Sequence, residues 1–149
     1  MLFLFDTNII LIYLREQFAK QVIETAYNPF DLANRLIVSV VTVGELKAIS
    51  LKNKWGNAKI QKMEAFLKKF AVVDIDKADI LNRYAEIDAF SQGRLEGKIS
   101  NFTARNMGKN DLWIAASASV LDATLLTTDS DFDHLQNEFL QVGRIDLVQ

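Results

Sequence analysis

The sequence lacks the residues that build several common kinds of site. Its 149 residues include no cysteine and a single histidine, His134. The absence of cysteine excludes disulfide bonds and thiolate metal sites, and it fits a reducing, cytoplasmic setting. A lone histidine excludes sites built on a histidine pair, and we expect His134 at the surface or an edge of the fold rather than as a metal ligand. Any metal site should therefore rest on oxygen-containing side chains.

Proline and glycine are also scarce, with one and six residues, and no repeat or low-complexity tract marks a linker. A chain of this length with 50% hydrophobic residues can build one complete core but not two ordinary domains. We therefore expect a single domain over residues 1–149. The 17 basic and 19 acidic side chains nearly balance, so contact with nucleic acid would need a local basic patch.

The longest hydrophobic stretch is the opening run MLFLFDTNIILIYL. A membrane-spanning helix needs about 20 apolar residues, whereas this run is shorter and carries Asp6 and Asn8 near its middle. It also lacks the basic segment that begins a signal peptide. We therefore expect no membrane segment here and interpret the run as a buried strand that turns into a helix.

Short apolar runs alternate with longer stretches of helical periodicity along the chain. Four runs are typical of buried strands and a fifth is weaker: residues 2–5, 36–40, 71–73, 124–127 and 145–148. Strands rich in Val, Ile and Leu that alternate with helices favour a parallel sheet covered on both faces, the α/β class. In this class, ligands bind beyond the carboxyl ends of the strands.

Four acidic residues are expected at that edge. Asp6 directly follows the first predicted strand, and Asp129 follows the strand 124–127 by one residue. Glu45 falls in the first turn or so of the helix after the second strand, and Asp111 heads the helix DLWIAASASVL. Each acid alone also fits helix capping. Asp6 differs because it ends a strand that should be central, and a buried carboxylate needs a partner.

Carboxylates that meet at one edge raise one another's pKa, and a divalent cation removes this cost. A ligand set of oxygen atoms alone favours a hard ion, Mg²⁺ or Mn²⁺, over zinc. The acids therefore predict a magnesium or manganese site.

Four blocks of the sequence resemble those of the PIN-domain ribonucleases, and among them the VapC-type toxins of type II toxin–antitoxin pairs. The blocks are LFLFDTN, VTVGEL, GKNDLWIAASA and LLTTDSDF, in the family's order and at roughly its spacing. The resemblance implies a PIN-like three-layer α/β/α sandwich with a parallel sheet of about five strands. The catalytic and metal-binding acids that it implies are Asp6, Glu45, Asp111 and Asp129, with Asp131 as a candidate fifth ligand and Asn8 and Thr127 as supporting polar groups.

The resemblance also implies the activity, a Mg²⁺- or Mn²⁺-dependent endoribonuclease that hydrolyses RNA phosphodiester bonds. The lack of a histidine pair and of an evident lysine base argues against a metal-free mechanism that uses the 2′-hydroxyl. An acidic site needs nearby cations to admit RNA. Four cations precede Asp111 and are candidates for RNA binding: Arg94, Lys98, Arg105 and Lys109. The same segment also fits an ordinary solvated loop.

The partners implied by the resemblance are an RNA substrate, a small protein antitoxin and a second copy of the chain in a homodimer. Two other interpretations stay open. One is a catalytically silent PIN-fold module that binds RNA or protein. The other is a receiver-like phosphoacceptor domain, with Asp74 or Asp76 ending the third strand. That domain also needs a lysine after the last strand, and no lysine follows Thr127.

Overall fold

The structure, a computed structural model, describes residues 1–147. Within them lie five strands, six α-helices and one 3₁₀ helix. Strands β1 to β5 are Leu2–Phe5, Arg35–Ser39, Ala71–Val73, Thr124–Thr127 and Gln141–Arg144. Helices α1 to α6 are Thr7–Leu14, Ala19–Tyr27, Val40–Lys52, Asn57–Leu67, Ala78–Ser91 and Lys109–Val120, and the 3₁₀ helix is Ser130–Leu135.

The five strands form one sheet in the order β3-β2-β1-β4-β5. All four neighbouring pairs are parallel, which confirms the predicted class. Strand β1 is central, so Asp6, which directly follows it, lies in the middle of the edge formed by the carboxyl ends of the strands. This order differs from the 2-1-3-4-5 order of receiver domains. The receiver-like interpretation is therefore wrong.

Helices cover both faces of the sheet. Side chains alternate along each strand, so strands β1, β2 and β4 contribute apolar residues to both faces. One set of strand residues packs with α5 and α6: Leu4, Ile37 and Leu125. The opposite set packs with α1 to α4: Phe3, Phe5, Val38 and Leu126. The predicted three-layer α/β/α arrangement is confirmed.

The opening hydrophobic run forms β1 and α1, as predicted, with Asp6 between them. Ile9 and Ile10 of α1 are fully buried, which explains the hydrophobicity of the run. Among residues 1–147, none of the helices combines the length and hydrophobicity that crossing a membrane demands.

The last strand does not lie where the hydrophobic pattern placed it. Strand β5 is Gln141–Arg144, whereas residues 145–147 have no regular structure and Val148 lies outside the described residues. An edge strand is only partly buried, so its residues QVGR lack a continuous apolar run. Gly143 allows close packing here, since a Cβ atom would lie 2.7 Å from Leu126 and 2.9 Å from the Tyr27 ring.

Candidate metal centre

Asp6 is a buried carboxylate with hydrogen bonds to both of its oxygens. It is the N-cap of α1, where Oδ1 accepts a hydrogen bond from the backbone N of Thr7 at 2.8 Å. Oδ2 accepts from the Thr127 hydroxyl at 2.7 Å. Burial raises the pKa of Asp6 above its usual value, the two hydrogen bonds oppose this, and the charges of Glu45 and Asp129 raise it further. Asp6 is therefore both a helix cap and a member of an acidic group.

Thr127, the last residue of β4, connects Asp6 to Asp129. Its side chain is fully buried, and its Oγ1 accepts a hydrogen bond from the backbone N of Asp129 at 3.0 Å. Asp129 in turn caps the 3₁₀ helix, since its Oδ1 accepts from the backbone N of Asp131 at 2.9 Å. The end of β4 is thus tied to the end of β1 by side-chain hydrogen bonds.

Glu45 reaches the same edge from the second turn of α3. It is the sixth residue of that helix, because α3 begins at Val40, the residue that was predicted to end the strand. The Thr7 hydroxyl donates to Glu45 Oε1 at 3.0 Å and lies 3.3 Å from the buried Thr42 hydroxyl. Thr7 adjoins Asp6 in the LFLFDTN block, but the sequence pattern does not reveal its hydrogen bond with Glu45.

Asp111, Asp129 and Asp131 bring one carboxylate oxygen each within 4.8 Å of one another. Asp111 is the third residue of α6 rather than its first, because the helix begins at Lys109. The pKa of Asp111 is raised to about 7, first by burial and then by the charges of the other acids: Asp6, Asp129, Glu45 and Asp131. Within residues 1–147, neither the Asp111 nor the Asp131 carboxylate accepts a hydrogen bond.

The five acids expected at the edge of the sheet therefore act on one another electrostatically. Their oxygens are the ligands that Mg²⁺ and Mn²⁺ prefer. Their mutual repulsion raises the pKa of Asp111, and a divalent cation would remove it. The residues present fit such an ion, with Asp111, Asp129 and Asp131 as the group best placed to hold it.

Asn8 does not orient Asp6. It is the second residue of α1 and is exposed, and its Nδ2 donates to the Thr128 hydroxyl at 3.4 Å. The donors to the two oxygens of Asp6 are instead Thr7 and Thr127. Asn8 thus lies near the acidic group but supports the segment after β4.

His134 is half-buried inside the fold, in contrast to the surface or edge position expected for it. Its Nε2 lies 2.7 Å from the hydroxyl of the fully buried Ser91, and its ring packs against Phe90 and Phe102. Burial and then the charge of Arg105 lower the pKa of His134. Its apolar surroundings come from other segments, which a local sequence pattern does not reveal.

The four cations predicted to bind RNA have different surroundings in the structure. Lys98 forms an ion pair with Glu138, with Nζ and Oε2 3.1 Å apart. Lys109 is the exposed first residue of α6. Arg94 and Arg105 line one depression of about 230 Å³.

Comparison with known proteins assigns the family. A model of the PIN domain matches residues 3–138, which is most of the chain. The chain belongs to the PIN domain family. No curated protein matches the sequence.

Several solved structures share the fold of this PIN domain over nearly the whole chain. VapBC-1 from nontypeable Haemophilus influenzae is 27% identical with a TM-score of 0.69, covering 97% of this chain and 98% of that chain. FitAB bound to an IR36 DNA fragment is 25% identical with a TM-score of 0.71, covering 99% and 98%. VapBC2 from Rickettsia felis, bound to a promoter DNA fragment, is 23% identical with a TM-score of 0.72, covering 98% and 100%.

These likenesses confirm the predicted resemblance to VapC-type PIN proteins. Membership of the family supports a nuclease, that is, a hydrolase that acts on nucleic acid.

Proposed function

We propose that the protein is an endoribonuclease that hydrolyses RNA phosphodiester bonds with Mg²⁺ or Mn²⁺, and that residues 1–149 form a single PIN-like domain. The observation that carries the proposal is the approach of carboxylates from four separate segments to one edge of the sheet: Asp6, Glu45, Asp111 and the pair Asp129 and Asp131. The family supports a nuclease, and the choice of metal and of RNA belongs to the proposal.

Asp111, Asp129 and Asp131 would hold the cation, with Asp6 and Glu45 completing the acidic group. A bound divalent ion supplies a Lewis acid that lowers the pKa of water and neutralises charge on a phosphodiester. The protein residues supply position. Thr127 and Thr7 fix Asp6 and Glu45 by hydrogen bonds, as outer residues do around metal ligands.

The pKa of Asp111 is raised to about 7, first by burial and then by the charges of the other acids, so its carboxyl group can hold or release a proton near neutral pH. A carboxyl group with such a pKa is suited to proton transfer at neutral pH. We therefore propose that the charge on the Asp111 carboxylate controls how readily the site accepts a cation.

We also propose that the chain is the toxin of a toxin–antitoxin pair, with a small protein antitoxin, and that it acts as a cytoplasmic homodimer. The support is the similarity to chains from structures named VapBC and FitAB. A short reading frame directly upstream that encodes a co-purifying protein would support the pairing. Its absence would count against the toxin assignment and leave the nuclease proposal untouched.

The direct test is incubation of the purified protein with total cellular RNA, with and without Mn²⁺, followed by mapping of the cut ends. We expect cleavage only with the metal. We expect Asp6→Asn to lower the cleavage rate by more than about 100-fold, which exceeds the effect of removing a residue that only orients a metal ligand. Asparagine has the same shape and can still accept the hydrogen bond from Thr7, so the fold should persist.

The matched control is Asp122→Asn. Asp122 is exposed at the opposite edge of the sheet, before β4, and has a positive φ of 55° that asparagine tolerates. It should cleave at the wild-type rate. Equal cleavage by Asp6→Asn and the wild type would refute the site, and no cleavage by the wild type with either metal would refute the activity.

A further inference from the structure

We propose that Arg94 and Arg105 form a subsite for an RNA phosphate beside the metal centre. This inference rests on the proposed function, which it deepens by naming the residues that hold the strand outside the acidic group. It divides the four candidate cations into a pair that faces a shared depression and two that do not.

The depression lies in the segment between α5 and α6. Arg83, in the first half of α5, donates to the hydroxyl of Ser119, near the end of α6. Ser91, the last residue of α5, donates to the sulfur of Met107, just before α6 begins. The two helices are therefore antiparallel, and the segment 92–108 lies where α6 starts. Asp111 is in the first turn at that end.

Ser91 contacts both this segment and the 3₁₀ helix of the metal centre. Its carbonyl accepts a hydrogen bond from the backbone N of Arg105 at 2.9 Å. Its hydroxyl lies 2.7 Å from Nε2 of His134, which belongs to the 3₁₀ helix that also carries Asp131. Through Ser91, the segment that carries Arg105 is thus connected to the 3₁₀ helix that carries Asp131.

Among residues 1–147, the two arginines lack a partner of opposite charge. Within residues 1–147, neither guanidinium group takes part in an ion pair or a side-chain hydrogen bond. Nε of Arg105 is buried without a hydrogen-bond acceptor, and the group lies 6.0 Å from the centre of the Phe102 ring. A partly buried cation without a partner is costly, so an anion from outside should bind here.

The lining of the depression suits an oxyanion. It consists of Gln92, Arg94, Ala104, Arg105 and Asn106. The planar guanidinium group binds phosphate through two parallel hydrogen bonds, so two such groups can hold one phosphate firmly. Lys98, in contrast, has its charge matched by Glu138 and its Nζ 4.7 Å from the centre of the Phe139 ring.

An RNA strand fits this place better than an acidic protein segment. A strand whose scissile phosphate lies at the metal centre carries further phosphates on either side, and one of them must pass the neighbouring surface. Its negative charge also needs cations to offset repulsion by the acids. Of the three cations in the segment 92–108, only these two arginines have no ion-pair partner among residues 1–147, so they are the ones available to that phosphate.

The test measures binding of a short fluorescein-labelled RNA by anisotropy over a series of salt concentrations, with EDTA present so that no metal-dependent cleavage occurs. We expect Arg94→Ala and Arg105→Ala each to weaken binding and to reduce the slope of log affinity against log salt by about 0.7, the value for one phosphate contact on a single strand. Arg94 is exposed, so its replacement keeps the test valid if Arg105→Ala folds poorly.

The matched control is Arg35→Ala, which removes an exposed arginine at the start of β2, on the opposite edge of the sheet. It should bind RNA like the wild type. The proposal is overturned if the Arg94 and Arg105 variants bind RNA as Arg35→Ala does. It is also overturned if an oligoglutamate peptide needs the two arginines while RNA does not, because the depression would then serve an acidic protein.

The same series distinguishes this inference from the proposed function, since binding in EDTA requires no catalysis. Arginine-dependent binding together with an inactive enzyme would refute the nuclease and keep the subsite. Metal-dependent cleavage together with arginine-independent binding would do the reverse.

Discussion

Asp6 and Asp111 lie at the same edge of the sheet but are held in different ways. Asp6 is 6% exposed, and each of its oxygens accepts a hydrogen bond, from Thr7 and from Thr127. Asp111 is half-buried, and among residues 1–147 its carboxylate has no donor. Both acids have a raised pKa because of burial, but only at Asp6 do hydrogen bonds oppose the shift.

The difference extends to their neighbours. Glu45 belongs with Asp6, because Thr7 donates to Glu45 through its hydroxyl and to Asp6 through its backbone N. Asp131, like Asp111, has no hydrogen-bond donor to its carboxylate among residues 1–147. Asp129 lies between the two groups, since its backbone N donates to Thr127 and its side chain caps the 3₁₀ helix. One part of the site is therefore rigid before any ligand arrives, and the other retains oxygens that can still accept a ligand.

Thr127 offers the strongest way to break this contrast. Thr127→Val removes the hydroxyl that serves Asp6 Oδ2 and the backbone N of Asp129, and should lower the free energy of unfolding by about 1–3 kcal/mol. It should also weaken Mn²⁺ binding by about 10- to 100-fold, because outer residues orient ligands. Urea denaturation and calorimetric titration measure the two effects.

Thr127→Ser is the control, since it keeps the hydroxyl and should retain most of the stability and the affinity. If the valine and serine variants bind Mn²⁺ equally, the hydrogen bonds from Thr127 do not prepare the site.

Asp111→Asn should have a smaller effect on stability and the opposite sign. Without metal it removes a charge that burial and the other acids disfavour, and should raise the melting temperature by roughly 2–4 °C, about 1 kcal/mol after allowing for solvent screening. It should also abolish the increase in melting temperature that Mg²⁺ causes in the wild type, because an ion stabilises only a fold that binds it.

Differential scanning fluorimetry with EDTA and with Mg²⁺ provides both readings, and Asp122→Asn should match the wild type in each. A metal-free Asp111→Asn protein that melts below the wild type would contradict the repulsion inferred at this residue.

The pH dependence should be the smallest of these effects. The pKa of Asp111 rises from 3.8 to about 7 on folding, so the folded chain holds a proton there that the unfolded chain releases. Stability from this residue is complete below about pH 4 and is lost as the pH rises through about 7. The raised pKa of Asp6 acts in the same direction.

Without metal, the difference in melting temperature between Asp111→Asn and the wild type should therefore increase as the pH rises from about 5 to about 8. A difference that stays constant over this range would show that Asp111 does not titrate there.

The sequence predicted the parts of the molecule that depend on local pattern. Strands β1 and β4 are buried on both faces, so they appear as continuous apolar runs, and the acids that follow them were found where expected in the chain. The position of β5 was not predicted correctly, because an edge strand is half-exposed and lacks a continuous apolar run. The need for glycine at Gly143 comes from the close packing of Leu126 and Tyr27, which belong to distant segments.

Side-chain partners were harder to predict because they come from distant segments. The Thr7 hydroxyl meets Glu45, Lys98 meets Glu138, and His134 meets Ser91, each across more than 35 residues. Hydropathy and spacing report which face of an element is buried, but not which polar atoms meet. The same limit explains why Asn8 was expected as a supporting group of the acids, although its hydrogen-bond partner is Thr128.

The most direct test of the metal centre is a crystal structure of the protein grown with Mn²⁺, with the ion located by its anomalous scattering. We predict a peak bonded to carboxylate oxygens of Asp111, Asp129 and Asp131. A peak bonded elsewhere, or a well-ordered acidic edge without a peak at saturating Mn²⁺, would contradict the proposed site.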